Sequence, residues 1–197
     1  MRRFIVVGHR AVTTPQFSLD DLAGAAGRMD LLLNAANAAL LVSHDLRRDV
    51  EATLVLLGPP DPPRAIRLVG SQLEMWGPDI RSNAALIRRA LGHASRLEGE
   101  TSPGIFAGRR NLREVLDSIS DPIVELREDG ADIRTVPLSR DLAFVLSDSV
   151  DLTSEERTIV AAKKPIVCSV GPRSLHTDHV ISIVHNEFDR RYPPTPS

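Results

Sequence analysis

Apolar side chains fall in short runs along this chain, and the length and periodicity of each run decide what it can be. Residues 3–8 (Arg-Phe-Ile-Val-Val-Gly) are short, β-branched and closed by glycine, which predicts a buried strand. A polar, proline-containing loop follows through Thr13-Thr14-Pro15 and Gly24-Ala25-Ala26-Gly27. Residues 29–43 are apolar on nearly every face, rich in Ala and Leu, and broken only by Asn34 and Asn37. They predict a helix buried over most of its surface. Short strands are expected over 52–57 and 65–69, joined by Gly58-Pro-Pro-Asp-Pro-Pro63, a stiff turn. Residues 82–97 read as an amphipathic helix capped by Ser82 or Asn83, with Leu86, Ile87, Ala90 and Leu91 facing the core.

After a Gly- and Arg-rich segment over 101–110 and a short helix over 111–118, strands and helices alternate. Strands are expected over 122–126, 143–147 and 165–170. Helices are expected over 154–162, capped by Ser154 with Glu155 and Glu156 in its first turn, and over 175–188. Such alternation implies an α/β fold, a mostly parallel sheet with helices on both faces. The closing Tyr192-Pro-Pro-Thr-Pro-Ser is expected to fray. At 197 residues the chain suits one domain, 1–197.

Composition narrows the class. No apolar run approaches the roughly 18 residues needed to cross a bilayer. The N-terminal apolar stretch stops at Gly8, too short for a signal peptide, so a cytoplasmic protein without membrane partners is expected. One cysteine, Cys168, excludes an internal disulfide and a cysteine-based zinc site. Net charge is −2, unlike a histone-like binder of polyanions. Residues 1–113 nevertheless hold 15 Arg against 11 acidic residues, while 114–197 hold 9 basic against 15 acidic. A basic half beside an acidic half suits a protein that shows one face to a polyanion.

In a parallel sheet, ligands bind at the carboxyl ends of the strands. Three such ends fall in the second half: Leu126 onward to Gly130, Leu146-Ser147-Asp148-Ser149, and Ser169-Val170-Gly171-Pro172-Arg173-Ser174. None carries a dinucleotide or Walker fingerprint. His176, His179 and His185 invite a metal, but His185 sits well round the helix from His179 and no acidic set accompanies them, so capping and packing suit them better. Ser43-His44-Asp45 cannot form a triad by adjacency, and Cys168 lies in an apolar strand. Arg28 and Asp30, with Arg47 and Arg48, bracket the first helix. They read either as charges complementing its dipole or as a base-recognition cluster.

Gly27-Arg-Met-Asp-Leu-Leu, Ser43-His-Asp-Leu-Arg-Arg-Asp-Val50, Val69-Gly-Ser-Gln-Leu73, Thr101-Ser-Pro-Gly-Ile105 and the stretch from Ser169 to Asp189 resemble, in that order, archaeal tRNA (pseudouridine-54) N1-methyltransferases. The resemblance spans nearly the whole chain. It implies a SPOUT fold with a C-terminal trefoil knot over about 122–190, a homodimer, a tRNA substrate, and S-adenosyl-L-methionine as cofactor without a metal. Carried over by position, it implies cofactor contacts at Leu126, Ser147, Ser169, Val170, Gly171, Pro172, Arg173, Ser174 and Val180. For that chemistry Asp30 is the candidate for orienting the base or taking its proton and Arg28 for holding a carbonyl oxygen, with Arg47, Arg48, Arg109 and Arg110 as candidates for RNA phosphates. A ribosomal pseudouridine and a non-catalytic RNA-binding role are the alternatives. Ser147, Ser149 and Val180 stand where the family more often has glycine, histidine and cysteine.

Overall fold

The computed structural model describes residues 1–93 and 95–193. In chain order the elements are β1 (Arg2–Gly8), α1 (Met29–Leu40), β2 (Val50–Leu56), β3 (Arg64–Val69), α2 (Ile80–His93), β4 (Gly99–Ser102), β5 (Ile105–Gly108), α3 (Leu112–Asp117), β6 (Ile123–Asp132), β7 (Leu142–Ser147), α4 (Ser154–Ala161), β8 (Ile166–Ser169) and α5 (Thr177–Arg191). All eight strands form one sheet, ordered β4-β5-β3-β2-β1-β7-β6-β8. From β2 through β8 the pairing is parallel; β3, β5 and β4 extend the sheet antiparallel.

Alternation along β1 builds two cores. Phe4 and Val6 point into one, with Leu32 and Leu33 of α1, Ile87 of α2, and Ile181, Val184 and Phe188 of α5. Ile5 and Val7 point into the other, against Val115 of α3 and Val160 of α4. Phe4 stacks on Phe144 with centroids 5.3 Å apart, and Phe188 meets Phe144 edge-on at 5.6 Å. Burying each such ring contributes about 1.5–3 kcal/mol.

Several boundaries differ from expectation, each for a local reason. The first helix ends at Leu40 rather than residue 43, because the backbone N–H of Arg47 takes the Leu40 carbonyl at 2.7 Å and Leu41 turns extended. The second begins at Ile80 because the Asp79 carboxylate accepts from the Ser82 N–H at 2.8 Å. Asn83, expected as a cap, is instead buried, its amide donating to Asn37 and to the Gly77 carbonyl. That helix does not reach the expected residue 97: α2 closes at His93 and Ser95 bridges Gly108, while residue 94 lies outside the described residues. Thr153, not Ser154, caps α4, in a capping box with Glu156. The Gly- and Arg-rich segment, given no element from sequence, takes regular structure. It is the β4–β5 hairpin, turning at Gly104, whose φ of 74° suits glycine. Tyr192 does not fray: its hydroxyl donates to the Leu138 carbonyl at 2.6 Å, while residues 194–197 lie outside the described residues.

The amino ends of the parallel strands are closed by a polar network. Arg2, 7% exposed, donates to His185 Nδ1 at 2.9 Å and to Asp189 at 3.0 Å. Because arginine only donates, His185 Nδ1 accepts, and Nε2–H donates to the Ala39 carbonyl at 2.9 Å. Burial, with the nearby Arg47 and Arg2 charges, pushes His185 down to about 3, so its ring is neutral. Arg47 grips Asp189 bidentately at 3.0 and 2.7 Å. Together these bonds tie α5 to β1 and α1.

Candidate functional site

At the opposite end, the carboxyl ends of β6, β7 and β8 surround a cavity of about 710 Å³. The strand expected to stop at Leu126 does not end there. Its ladder with β8 breaks between Leu126 and Ala131, then resumes at Ala131↔Cys168 and Asp132↔Ser169. Residues 127–130 are thereby squeezed out of the ladder, and Arg127 and Glu128 become cavity wall. Gly130 allows the return: a Cβ there would lie 2.6 Å from the Cys168 carbonyl carbon.

The cavity is lined by Leu126, Ser147, Ser169, Val170, Gly171, Arg173, Ser174 and Val180, while Pro172 of the same loop is not among the lining residues. The loop is held by Ser169, whose hydroxyl donates to the Gly171 carbonyl at 2.8 Å and accepts from the Gly171 N–H at 3.1 Å. Thr177, at the start of α5, donates to the Ser147 carbonyl at 2.5 Å and ties the helix to β7. Nothing lies within 4 Å of the would-be Cβ of Gly171, which opens on the cavity. Leu31, Leu146 and Leu152 supply apolar wall, and Glu125, Asp148 and Asp178 supply carboxylates. Arg127, Arg157 and Arg173 also line it, so the wall offers an amphiphilic ligand polar partners of both signs.

Asp148 is also one arm of a cluster that sequence reasoning missed. It accepts from the His9 N–H at 2.8 Å and from the imidazole Nδ1 at 2.9 Å. His9 Nε2 reaches Glu156 at 3.0 Å. Burial opposes a charge on His9, but the two carboxylates outweigh it and raise its pKa. Burial likewise pushes Glu156 up, yet its bonds to Thr153 and His9 leave it lowered. One side chain thus joins the end of β1, the turn after β7 and the cap of α4. The only sequence signal was a histidine directly after a buried strand.

Arg28 and Asp30 come together beside this cavity. Arg28 Nε and Nη2 donate to the two Asp30 oxygens at 3.0 and 2.9 Å, and the bond to Asp30 raises the arginine pKa. The backbone of Arg28 is left-handed, φ 68°, directly after Gly27 at φ 64°. A non-glycine residue held so costs about 1 kcal/mol or more, a pattern common at binding sites. Asp148 acts electrostatically on Arg28, and Leu31, the next residue after Asp30, lines the cavity.

The four arginines expected on RNA do not form one group. Arg47 and Arg48 precede β2, whose Val50 pairs with Arg2, so they lie at the amino end of the strands. Arg47 is engaged by Asp189, and Arg48 donates to the Gly70 and Leu73 carbonyls at 3.1 and 3.0 Å. Arg109 and Arg110 follow β5, at the carboxyl end, where they pair with Asp61 and Glu98. The histidines also separate: His176 and His179 line the cavity with centroids 5.8 Å apart, whereas His185 is buried in the amino-end network. Burial pushes the Cys168 thiol up to about 11, leaving it inert.

Comparison with known proteins gives this arrangement a family. The model of a family described as SAM-dependent RNA methyltransferases matches residues 1–192. A Methanocella arvoryzae protein named tRNA (pseudouridine(54)-N(1))-methyltransferase is 49% identical over 97% of this chain and 100% of its own length. A protein of the same name from Haloarcula marismortui is 43% identical, covering 96% of each chain. The crystal structure of Archaeoglobus fulgidus Nep1 bound to S-adenosylhomocysteine shares the fold, with a TM-score of 0.67 at 15% identity, over 96% of this chain and 97% of that one. The chain therefore belongs to the family of archaeal tRNA (pseudouridine-54) N1-methyltransferases.

Proposed function

We propose that this protein methylates N1 of pseudouridine 54 in tRNA, taking the methyl group from S-adenosyl-L-methionine bound in the strand-end cavity. The observation that carries the reading is positional. The backbone-rich loop ends at Leu126, Ser147 and Ser169 to Ser174 converge on one cavity, with the Arg28–Asp30 pair beside it. The cavity's size is within the range of sites for small organic ligands. Its carboxylates suit a sulfonium and an ammonium, and its leucines suit an adenine.

When bound, the cofactor supplies a methyl on an already activated leaving group, so positioning does most of the work. N1 of pseudouridine carries a proton because the base joins its sugar through carbon. Asp30 orients that N1–H and accepts its proton, directly or through water, as the N–C bond forms and the S–C bond breaks. Arg28 holds a carbonyl oxygen of the base and in turn fixes the Asp30 carboxylate. Pro172 shapes the loop without facing the ligand.

Three further features belong to this reading. The reading includes a trefoil knot over the segment from β6 to α5, and its support is that α5 returns from the edge strand β8 to pack on α1. The protein works as a homodimer through α5, where Val180 and Ile183 remain only half-buried after Ile181, Val184 and Phe188 enter the protein's own core. It acts in the cytoplasm with its tRNA, and no described helix is long and apolar enough to cross a membrane.

Gly171→Leu tests the site. The leucine meets no protein atom at its Cβ, so the fold survives while the side chain fills the cavity. Calorimetry should find S-adenosylhomocysteine binding abolished at an unchanged melting temperature. Nucleoside mass spectrometry of a pseudouridine-54 tRNA should find N1-methylpseudouridine with the native protein alone. Undiminished binding would remove the loop from the site, and native protein leaving that tRNA unmodified would remove the substrate.

A further inference from the structure

A second cavity, of about 410 Å³, is lined by Arg64, Ser95, Arg96 and Arg109. Strand register fixes where it lies. Arg64 pairs with Leu56, Leu56 with Gly8, and the preceding Val7 with Ser147 of the first cavity. Gly108, just before Arg109, pairs with Ala65. Both cavities therefore open at the same end of the sheet. Between β3 and β6 lie four strand spacings, roughly 19 Å, and between β5 and β6 five, roughly 24 Å.

The charge of this second cavity is one-sided. Asp61 pairs with both Arg64 and Arg109, while Glu98 nearby is committed to Arg67 and Arg110. Among the described residues no carboxylate pairs with Arg96, whose side chain is exposed. Among the described residues, three guanidiniums line this cavity and Asp61 is the carboxylate paired with two of them, so basic groups outnumber acidic ones. The native ion pairs hold Arg64 and Arg109 in place beforehand, so little side-chain freedom is lost when an anion arrives. Arg10 is also exposed, in the turn after β1 between the two cavities, and makes no ion pair among the described residues.

We propose that Arg64, Arg96 and Arg109 form a phosphodiester anchor that grips the RNA backbone about 20 Å across the sheet from the cofactor cavity, with Arg10 between. This rests on the reading of the first cavity as a methyl-transfer site for RNA. The anchor contacts phosphate and not bases, so it sets how the RNA lies across the strand ends without choosing the base. An RNA too short to bridge the cavities gains nothing from it.

The test compares Arg96→Ala/Arg109→Ala with the native protein on two RNAs: a full-length tRNA transcript containing pseudouridine 54, and a trinucleotide centred on pseudouridine. Binding to the transcript should weaken, and the slope of log K against log salt should flatten by roughly 1 per lost contact. Arg96→Lys/Arg109→Lys should restore most of that slope. Single-turnover transfer to the trinucleotide and affinity for S-adenosylhomocysteine should stay at native values. An unchanged salt slope on the transcript, or an equal loss on the trinucleotide, overturns the anchor. Native protein that methylates neither RNA removes the RNA reading itself, an outcome distinct from either.

Discussion

The two ends of the parallel strands use the same residue types to opposite purpose. At the amino end, Arg2, Arg47, His185 and Asp189 bond to one another, with the buried Arg47 Nε the one group of theirs left over among the described residues. At the carboxyl end, Arg28, Arg109 and His9 also have carboxylate partners, but beside open cavities and in backbone that must turn sharply. An arginine in the sequence reads the same at either end. Strand direction is what separates a seal from a site, and direction emerges only when the strands pair.

The largest effect that could break this contrast is on the chemical step. Asp30→Asn should keep RNA and cofactor binding while single-turnover transfer falls by about 100-fold or more. A normal rate beside a stability loss of about 0.3–1 kcal/mol would make Asp30 a dipole partner of α1 and nothing else. Next comes Arg2→Ala at the sealed end, which strands His185 Nδ1 and leaves Asp189 to Arg47 alone. Because Asp189 is 34% exposed, the cost should be about 2 kcal/mol rather than the larger loss of a fully buried pair. Denaturant midpoints would measure it, and cofactor affinity should not move. A variant that binds S-adenosylhomocysteine more weakly would mean the two ends are coupled.

The smallest effect is also the most discriminating, since the ends should respond to pH with opposite sign. His185 is depressed to about 3, so its neutral ring favours folding above the ordinary 6.5. That contribution is lost as pH falls from 6.5 toward 3, by at most about 1.4 kcal/mol per pH unit. His9 is raised, so its charged ring contributes fully below 6.5 and is lost as pH rises through the higher folded value. Glu156 is lowered from 4.5 and stays ionised throughout that upper window. Urea titrations should show global stability falling on the acid side. Cofactor affinity should decline on the alkaline side in the native protein and flatten in His9→Gln. Affinity that instead drops on acidification and is indifferent to His9 would detach the β7 turn from this histidine.

What could be read in advance followed burial. Strands such as β1 and β7 announce themselves because both faces are covered, so nearly every side chain is apolar. The turn chemistry after β7 and β8 was visible for the same reason: small polar residues directly follow buried runs. The β4–β5 hairpin was not, because β4 is exposed, carries Gly99-Glu100-Thr101-Ser102, and has no apolar rhythm. The bulge in β6 was read as an ending, since Arg127-Glu128-Asp129-Gly130 is composed like a turn and only pairing with β8 shows the strand resuming. The His9 cluster joins residues 139 and 147 positions apart, a distance no local pattern spans. The residues named from the family motifs line one cavity, Pro172 excepted, but the motifs could not say which arginines share an end.

β1 sits between β2 and β7, and its partners on the β7 side begin at Leu142. During synthesis one edge of this strand, with Phe4 and Ile5 on it, has no native neighbour until most of the chain has been made. The contacts that complete the central sheet are the ones separated furthest in sequence, which makes them slow to form and leaves an apolar edge open meanwhile. The strand that anchors the finished enzyme is thus the one most exposed to mispairing while the protein is being born.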